Sequence, residues 1–133
     1  MSQENVEIVR RYFAAYERGG LDASAEFWHP DITWRAAEGA LDDVGLMEGP
    51  GALRRYYEQW EDTFESGRVE AEELVDAGDQ VVAVVRGFGR MKESEAEVDI
   101  RYATVLSIRD GKIAAGREYF TREEALEAAG LEE

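Results

Sequence analysis

The side chains able to do chemistry in this chain are narrow in kind. Its 133 residues include one histidine and no cysteine, with 30 acids against 15 bases and a net charge of −15. Without cysteine, a thiol nucleophile and a disulfide framework are both excluded. One histidine leaves no Ser-His-Asp arrangement to argue. His29 stands directly before Pro30, at the expected end of a helix, where an imidazole commonly satisfies local carbonyls; an acid–base role is the competing reading. A transition-metal centre would need mostly carboxylates, and the chain has no D-x-D-x-D-G loop. Gly87-Phe88-Gly89 is too short for a phosphate loop and falls inside a strand. No metal and no other cofactor is expected. What remains is carboxylate, arginine and tyrosine chemistry in an aromatic setting.

The charge balance narrows the partners. A field of this sign repels phosphate backbones and anionic lipid, so neither nucleic acid nor a membrane surface is an expected partner. The excess acid reads as a solvated surface. The length fits one domain, 1–133, able to bury a core without a metal or disulfide staple. The polar start Met1-Ser2-Gln3-Glu4-Asn5 lacks a basic, apolar leader, and no stretch reaches the ~18 apolar residues of a membrane span, so a cytoplasmic location is expected.

The elements that must position the chemistry follow from periodicity. Residues 3–18 read as an amphipathic helix, with Val6, Val9, Phe13 and Tyr16 on its stripe and Ile8 and Tyr12 widening it, stopped by Gly19-Gly20. Asp22 caps a short second helix running through Trp28 and ended by Pro30, and residues 31–36 alternate as a strand. Residues 37–50 have neither period, and their apolar members Leu41, Val44, Leu46 and Met47 suggest a loop folded back over apolar ground. A helix opens at Pro50, with Leu53, Tyr57, Trp60 and Phe64 on one stripe, and closes at Ser66-Gly67. Four strands follow: Val69–Ala77 with a bulge near Leu74-Val75, Gln80–Met91, Val98–Ile108 and Lys112–Phe120. Thr121 opens a last helix, with Glu124 completing a capping box and Gly130 stopping it. The fold class is α+β: a curved antiparallel meander sheet wrapped around N-terminal helices.

A helix ending in Gly-Gly, a short helix, the run Phe27-Trp28-His29-Pro30-Asp31-Ile32-Thr33-Trp34, a Gly-Pro-Gly helix start and four strands resemble the nuclear transport factor 2-like superfamily. Within it the SnoaL-like group is the nearest likeness, and the ending Arg117-Glu118-Tyr119-Phe120 followed by ALEAAGL is similar to many uncharacterised members. The resemblance spans the whole chain. It implies a cone with one apolar pocket, often in a dimer, and activities that include ketosteroid isomerisation, polyketide cyclisation and epoxide hydrolysis. Fold alone selects none of these.

If that cone is adopted, strand phase names the inward residues: Trp34 and Ala36; Val84, Arg86 and Phe88; Ile100, Tyr102, Thr104 and Leu106. Tyr12, Tyr16, Tyr56, Tyr57 and Trp60 close it from the helices. Such a pocket suits a steroid-, terpenoid- or polyketide-like molecule, although the same aromatics would serve simply as core. The resemblance assigns the rest. Tyr12 matches the tyrosine of the steroid isomerases, but their base position falls on Ala36, which cannot accept a proton, and their second acid on Thr104. Arg86 and Glu118 match an arginine and one acid of the epoxide hydrolases, while the other acid falls on Phe88 and their tyrosine and asparagine on Trp34 and Ala36. The expected catalytic trio is therefore Glu118, Arg86 and Tyr12, with Trp34, Tyr16, Tyr57, Trp60, Phe88, Tyr102 and Thr104 as substrate contacts. Arg86 and Glu118 as a purely structural ion pair is the alternative.

Three functions remain open: an enzyme acting on an apolar molecule by acid–base chemistry, a ligand-binding module without turnover, and a protein-interaction module. A homodimer is expected through the outer sheet face, which would carry Asp99, Arg101, Ala103 and Val105. The hairpin at Arg109-Asp110-Gly111 bears on the site. A two-residue loop pairs Arg109 with Lys112 and points Arg117 and Tyr119 inward; a three-residue loop pairs Ile108 with Lys112 and points Glu118 and Phe120 inward. The three-residue loop agrees with the resemblance and is the expectation.

Overall fold

The first helix, α1 (Ser2–Ala25), is two helices joined at Gly20, whose φ of 69° and ψ of −157° no helical residue adopts. Val9 and Tyr12 are buried on its inner stripe, with Val6, Phe13 and Tyr16 packed beside them. The short piece after Gly20 ends at Ala25 rather than Trp28, closed by the Phe27 N–H on the Ser24 carbonyl at 3.0 Å. Strand β1 (Trp28–Arg35) already begins at Trp28, so Pro30 is a strand residue and not a helix stop. It lies where β1 leaves its partner's register, between Trp28 and Thr33, where the missing N–H breaks no ladder bond.

The 37–50 segment contains a strand, β2 (Leu46–Glu48), antiparallel to the end of β1. Ala37 and Met47 are buried; Val44 and Leu46 are 67% and 59% exposed, and Leu41 lies outside the described residues. Helix α2 (Pro50–Thr63) starts as expected with proline in its first turn, burying Leu53. The computed structural model describes residues 2–40 and 43–131.

Four strands then form the antiparallel meander: β3 (Arg68–Ala77), β4 (Gln80–Arg90), β5 (Glu97–Arg109) and β6 (Lys112–Tyr119). The bulge in β3 falls at Glu72, between the pairs Ala71–Val85 and Glu73–Val84, slightly earlier than expected. The sheet order is β2-β1-β6-β5-β4-β3, and β1 runs parallel to β6. The sheet is therefore mixed and open-edged, not a pure antiparallel meander, because β1 adds to the meander's last strand from the far end of the chain. No described helix is long and apolar enough to cross a membrane.

The two sheet faces are buried against different partners. The inner face, under α1 and α2, gathers Trp28, Ile32, Trp34, Val81, Ala83, Val85, Leu106 and Ile113. The outer face is covered in part by α3 (Arg122–Ala128), whose Ala125 and Leu126 pack on Val82, Ala103 and Val105. Helix α3 carries the expected capping box between Thr121 and Glu124. The phase of β5 is as expected, with Tyr102 and Leu106 joining the inner core. The phase of β4 is the reverse: Val81, Ala83 and Val85 face in, and Val84, Arg86 and Phe88 face out. Both phases of that strand are apolar because both faces are covered there, so alternation has nothing to discriminate. Two of the four residues expected at a dimer face, Ala103 and Val105, lie beneath α3.

Candidate functional site

The hairpin sets the site, by a route the sequence does not display. Arg109 pairs with Lys112, so the loop is the two-residue Asp110-Gly111, with φ of 55° and 73°. That register alone would turn Glu118 outward. One residue later it slips: Ile108 pairs with Ile113 but Ser107 pairs with Ala115, leaving Ala114 as a bulge. From there on the phase is inverted and Glu118 stands opposite the inward-facing Thr104. Glu118 is on the expected face, through a bulge and not through a three-residue loop. Phe120 is not inside; it lies beyond the strand and is 55% exposed.

Across the parallel pairing, Trp34 of β1 lies beside Gly116 of β6. A Cβ on Gly116 would fall 2.6 Å from Trp34 Cη2 and closer still to Cε3 and Cζ3, so the missing side chain is the space the indole occupies. The ring is held there edge-on to Tyr57 of α2, with centroids 6.0 Å apart. From this seat Trp34 Nε1–H donates to Glu118 Oε2 at 2.9 Å, a charge-assisted bond in largely apolar surroundings.

Tyrosines surround this pair. Trp28 Nε1–H donates to Tyr12 Oη at 3.4 Å, and Tyr57 stacks on Trp28 with ring centroids 6.4 Å apart. Burial pushes the Tyr12 phenol up to about 12, with the Glu118 charge adding to the shift. Burial also raises Tyr57, again with contributions from Tyr12 and Glu118. Tyr16 is raised by burial and by its hydrogen bond to Glu61 Oε2 at 2.5 Å. All three phenols are therefore neutral hydrogen-bonding groups at neutral pH. Between them lies a cavity of about 20 Å³, walled by Tyr12, Tyr16, Trp34, Tyr57, Tyr102 and Thr104 together with Phe13, Leu21, Ser24, Val69 and Val85. That is room for about one water.

Of the expected residues, the structure brings Tyr12, Tyr16, Trp34, Tyr57, Tyr102 and Thr104 to the cavity, with Glu118 joined to its wall through the Trp34 Nε1–H bond. It does not bring Arg86, Phe88 or Trp60. Arg86 lies on the outer face, where its Nε and Nη2 donate to Asp99 at 2.8 and 2.7 Å, and Glu70 lies 3.6 Å away. Its guanidinium covers the Phe88 ring at 4.1 Å. No Arg86–Glu118 pair forms, because the reversed phase of β4 puts the two on opposite faces. Trp60 packs on Phe64, 4.7 Å between centroids, and sits beside Gly67 and Gly87.

Val85 and Ser24 escaped the sequence reading, Val85 through the phase of β4 and Ser24 because a lone serine in a short helix carries no signal. Ser24 is buried and its hydroxyl donates to the Leu21 carbonyl at 3.0 Å. His29 is away from the cavity: its Nδ1 accepts from the Asp31 N–H at 3.0 Å, and Asp110 lies 3.6 Å from Nε2. No group of three His, Cys, Asp or Glu suited to a metal occurs among the described residues.

Solved structures share this architecture. An NTF2-like protein of unknown function from Burkholderia pseudomallei superposes with a TM-score of 0.76 at 16% identity, covering 93% of this chain and 95% of that one. TerC, co-crystallised with polyporic acid, gives 0.75 at 18% identity, covering 96% and 98%. A Catenulispora acidiphila protein with a ketosteroid isomerase-like fold, in complex with trimethylamine, gives 0.71 at 24% identity, covering 95% and 94%. At these identities the likeness is one of fold. Among curated proteins none matches the chain. The profile of the SnoaL-like domain matches residues 9–116, from the inner stripe of α1 to the glycine that seats Trp34. On that span, the chain belongs to the SnoaL-like family.

Proposed function

We propose that the protein binds a small apolar molecule against the aromatic wall formed by Tyr12, Trp34, Tyr57 and Tyr102, and that Glu118 is the group able to exchange a proton with it. The observation that carries this reading is the seat of Glu118: a carboxylate on the inner sheet face, oriented by Trp34 Nε1–H at 2.9 Å and close enough to Tyr12 and Tyr57 to raise both phenols. A carboxylate oriented by an indole N–H next to a residue of the cavity wall can serve as a general base once a substrate proton comes within hydrogen-bond reach. Tyr12, held neutral, would donate a hydrogen bond to an oxygen of the bound molecule. Arg86 has no part in this chemistry. The neighbouring folds crystallised with polyporic acid and with trimethylamine support a small-molecule ligand.

Binding without turnover is favoured by a different observation. Three of the six hydroxyl-bearing residues lining the cavity are already engaged, Tyr12 with Trp28, Tyr16 with Glu61 and Ser24 with Leu21. A thermal-shift screen of steroids, terpenoids and aromatic polyketides, with turnover assays on every binder, separates the readings. A binder that is converted by the wild type and only bound by Glu118→Gln supports acid–base chemistry at Glu118. Binding that is identical in both, with no conversion by either, leaves a binding module. A screen in which nothing stabilises either protein overturns the proposal.

A further inference from the structure

The cavity is narrow in this conformation, with room for about one water, and one of its walls has an identifiable latch. Its wall includes Tyr16 and Val69. The same two residues line a solvent-facing cleft of about 340 Å³, completed by Glu17, Gly67 and Arg68. The cavity and the cleft thus have Tyr16 and Val69 in common among their lining residues. Tyr16 is held in place from one side by its hydroxyl, which donates to Glu61 Oε2 of α2 at 2.5 Å. On the other side, α1 loses helical geometry at Gly20, one turn further on.

We propose that Tyr16 is the gate of the cavity and its bond to Glu61 the latch: breaking the bond lets the ring swing, joining the cleft to the cavity and admitting a molecule larger than water. The inference rests on the binding function proposed above but is tested without any ligand of that function. Val69 forms the fixed jamb, being on β3 and paired with Gly87 of β4. The gate also sets a size limit, since a molecule must pass between α1 and the start of β3 before it meets Trp34.

The three tryptophans make access measurable. Trp28 and Trp34 are buried in the inner core, while Trp60 packs outside the cavity wall. In a Trp60→Phe background, quenching of the remaining fluorescence by acrylamide, a small neutral molecule, reports entry to the interior. Removing a hydrogen bond to a charged acceptor raises the open fraction on the order of tenfold. The expected result is stronger quenching in both Tyr16→Phe and Glu61→Ala, each removing a different half of the latch, with unchanged far-ultraviolet dichroism. Glu61→Gln, which keeps an accepting oxygen, falls between them and the parent. If either variant proves poorly folded, the other carries the test. Quenching in folded Tyr16→Phe or Glu61→Ala equal to that of the Trp60→Phe parent overturns the gate. A gate that opens in a protein for which no binder is found would leave this inference standing and count against the binding function alone.

Discussion

Gly116→Ala tests the seat of the candidate site with a single methyl group. The added Cβ falls 2.6 Å from Trp34 Cη2 and closer to two further ring carbons, well inside any contact a real Cβ makes. Neither side can yield easily. The Gly116 backbone is paired on both flanks, with Leu106 and with Trp34, and the indole, 3% exposed, is backed by Tyr57. Overpacking of this kind costs about 1–3 kcal/mol. Moving the ring also separates Nε1–H from Glu118, and losing a buried hydrogen bond to a charged group costs about 1.5–3 kcal/mol. The variant should therefore be less stable by about 2.5–6 kcal/mol, a large share of the ~5–15 kcal/mol that holds a domain of this size together. That corresponds to a fall in Tm of about 10–20 °C. Urea denaturation with the m-value monitored is the assay, run as a double-mutant cycle with Trp34→Leu. With the indole gone, alanine at 116 should cost less than about 1 kcal/mol. A Gly116→Ala protein as stable as wild type, or one equally destabilised in the Trp34→Leu background, would refute the account of how Trp34 and Glu118 are held.

Two further expectations concern pH. The Tyr12 phenol titrates near 12 when folded and near 10 otherwise, so the unfolded chain releases that proton first as pH rises. The stability this contributes is complete below pH 10 and disappears between 10 and 12, an amount of about 3 kcal/mol. Urea midpoints measured from pH 8 upward should fall more steeply in wild type than in Tyr12→Phe, and parallel slopes would contradict the burial of that hydroxyl. Asp43 has the opposite sign. Its carboxylate accepts the N–H groups of Gly39 and Gly45, both at 3.0 Å, and Arg35 Nη2 at 3.2 Å, and these hold it below its ordinary 3.8. Its contribution is present above that value and lost as pH falls through the lowered one. Asp43→Ala should lower Tm at pH 7 and make progressively less difference toward pH 3; an equal effect at both would mean the charge plays no part in ordering the loop.

Much of this structure can be read from local pattern, and the exceptions share a cause. Thr121 and Glu124 announce their helix because capping is settled within four residues. The inner face of β5 is legible because Asp99 and Arg101 alternate with apolar neighbours. On β4, Val81 to Val85 give no such contrast, since α3 arrives from 40 residues away to cover the outer face. That one ambiguity displaced Arg86 and Phe88 from the interior to a surface where Arg86 finds Asp99. The parallel pairing of β1 with β6 is equally silent: Trp34 and Gly116 are far apart in the chain, and only their contact explains why 116 is glycine. Tyr12 and Tyr57 were legible as inward residues from helical stripes, yet the size of the space between them depends on packing that no periodicity records.

Ala114 makes the hairpin and the site independent of each other. Because side-chain alternation restarts at that residue, the tip at Asp110-Gly111 fixes only how the chain reverses, and the inner face takes its orientation from a point beyond it. The tip is thus free to change in sequence without re-aiming Glu118. The β1 ladder breaks step at the same place, between its pairings with Ile113 and with Ala115, so the two strands that deliver Trp34 and Glu118 are aligned by one shared irregularity. Drawing Ala114 into the ladder opposite Ser107 would exchange Glu118 for its neighbours Arg117 and Tyr119 along the whole inner edge, turning an acidic interior into a basic and phenolic one in one step. In a scaffold that serves many chemistries, such a place is where a lineage can reverse the polarity of its interior while leaving every turn intact.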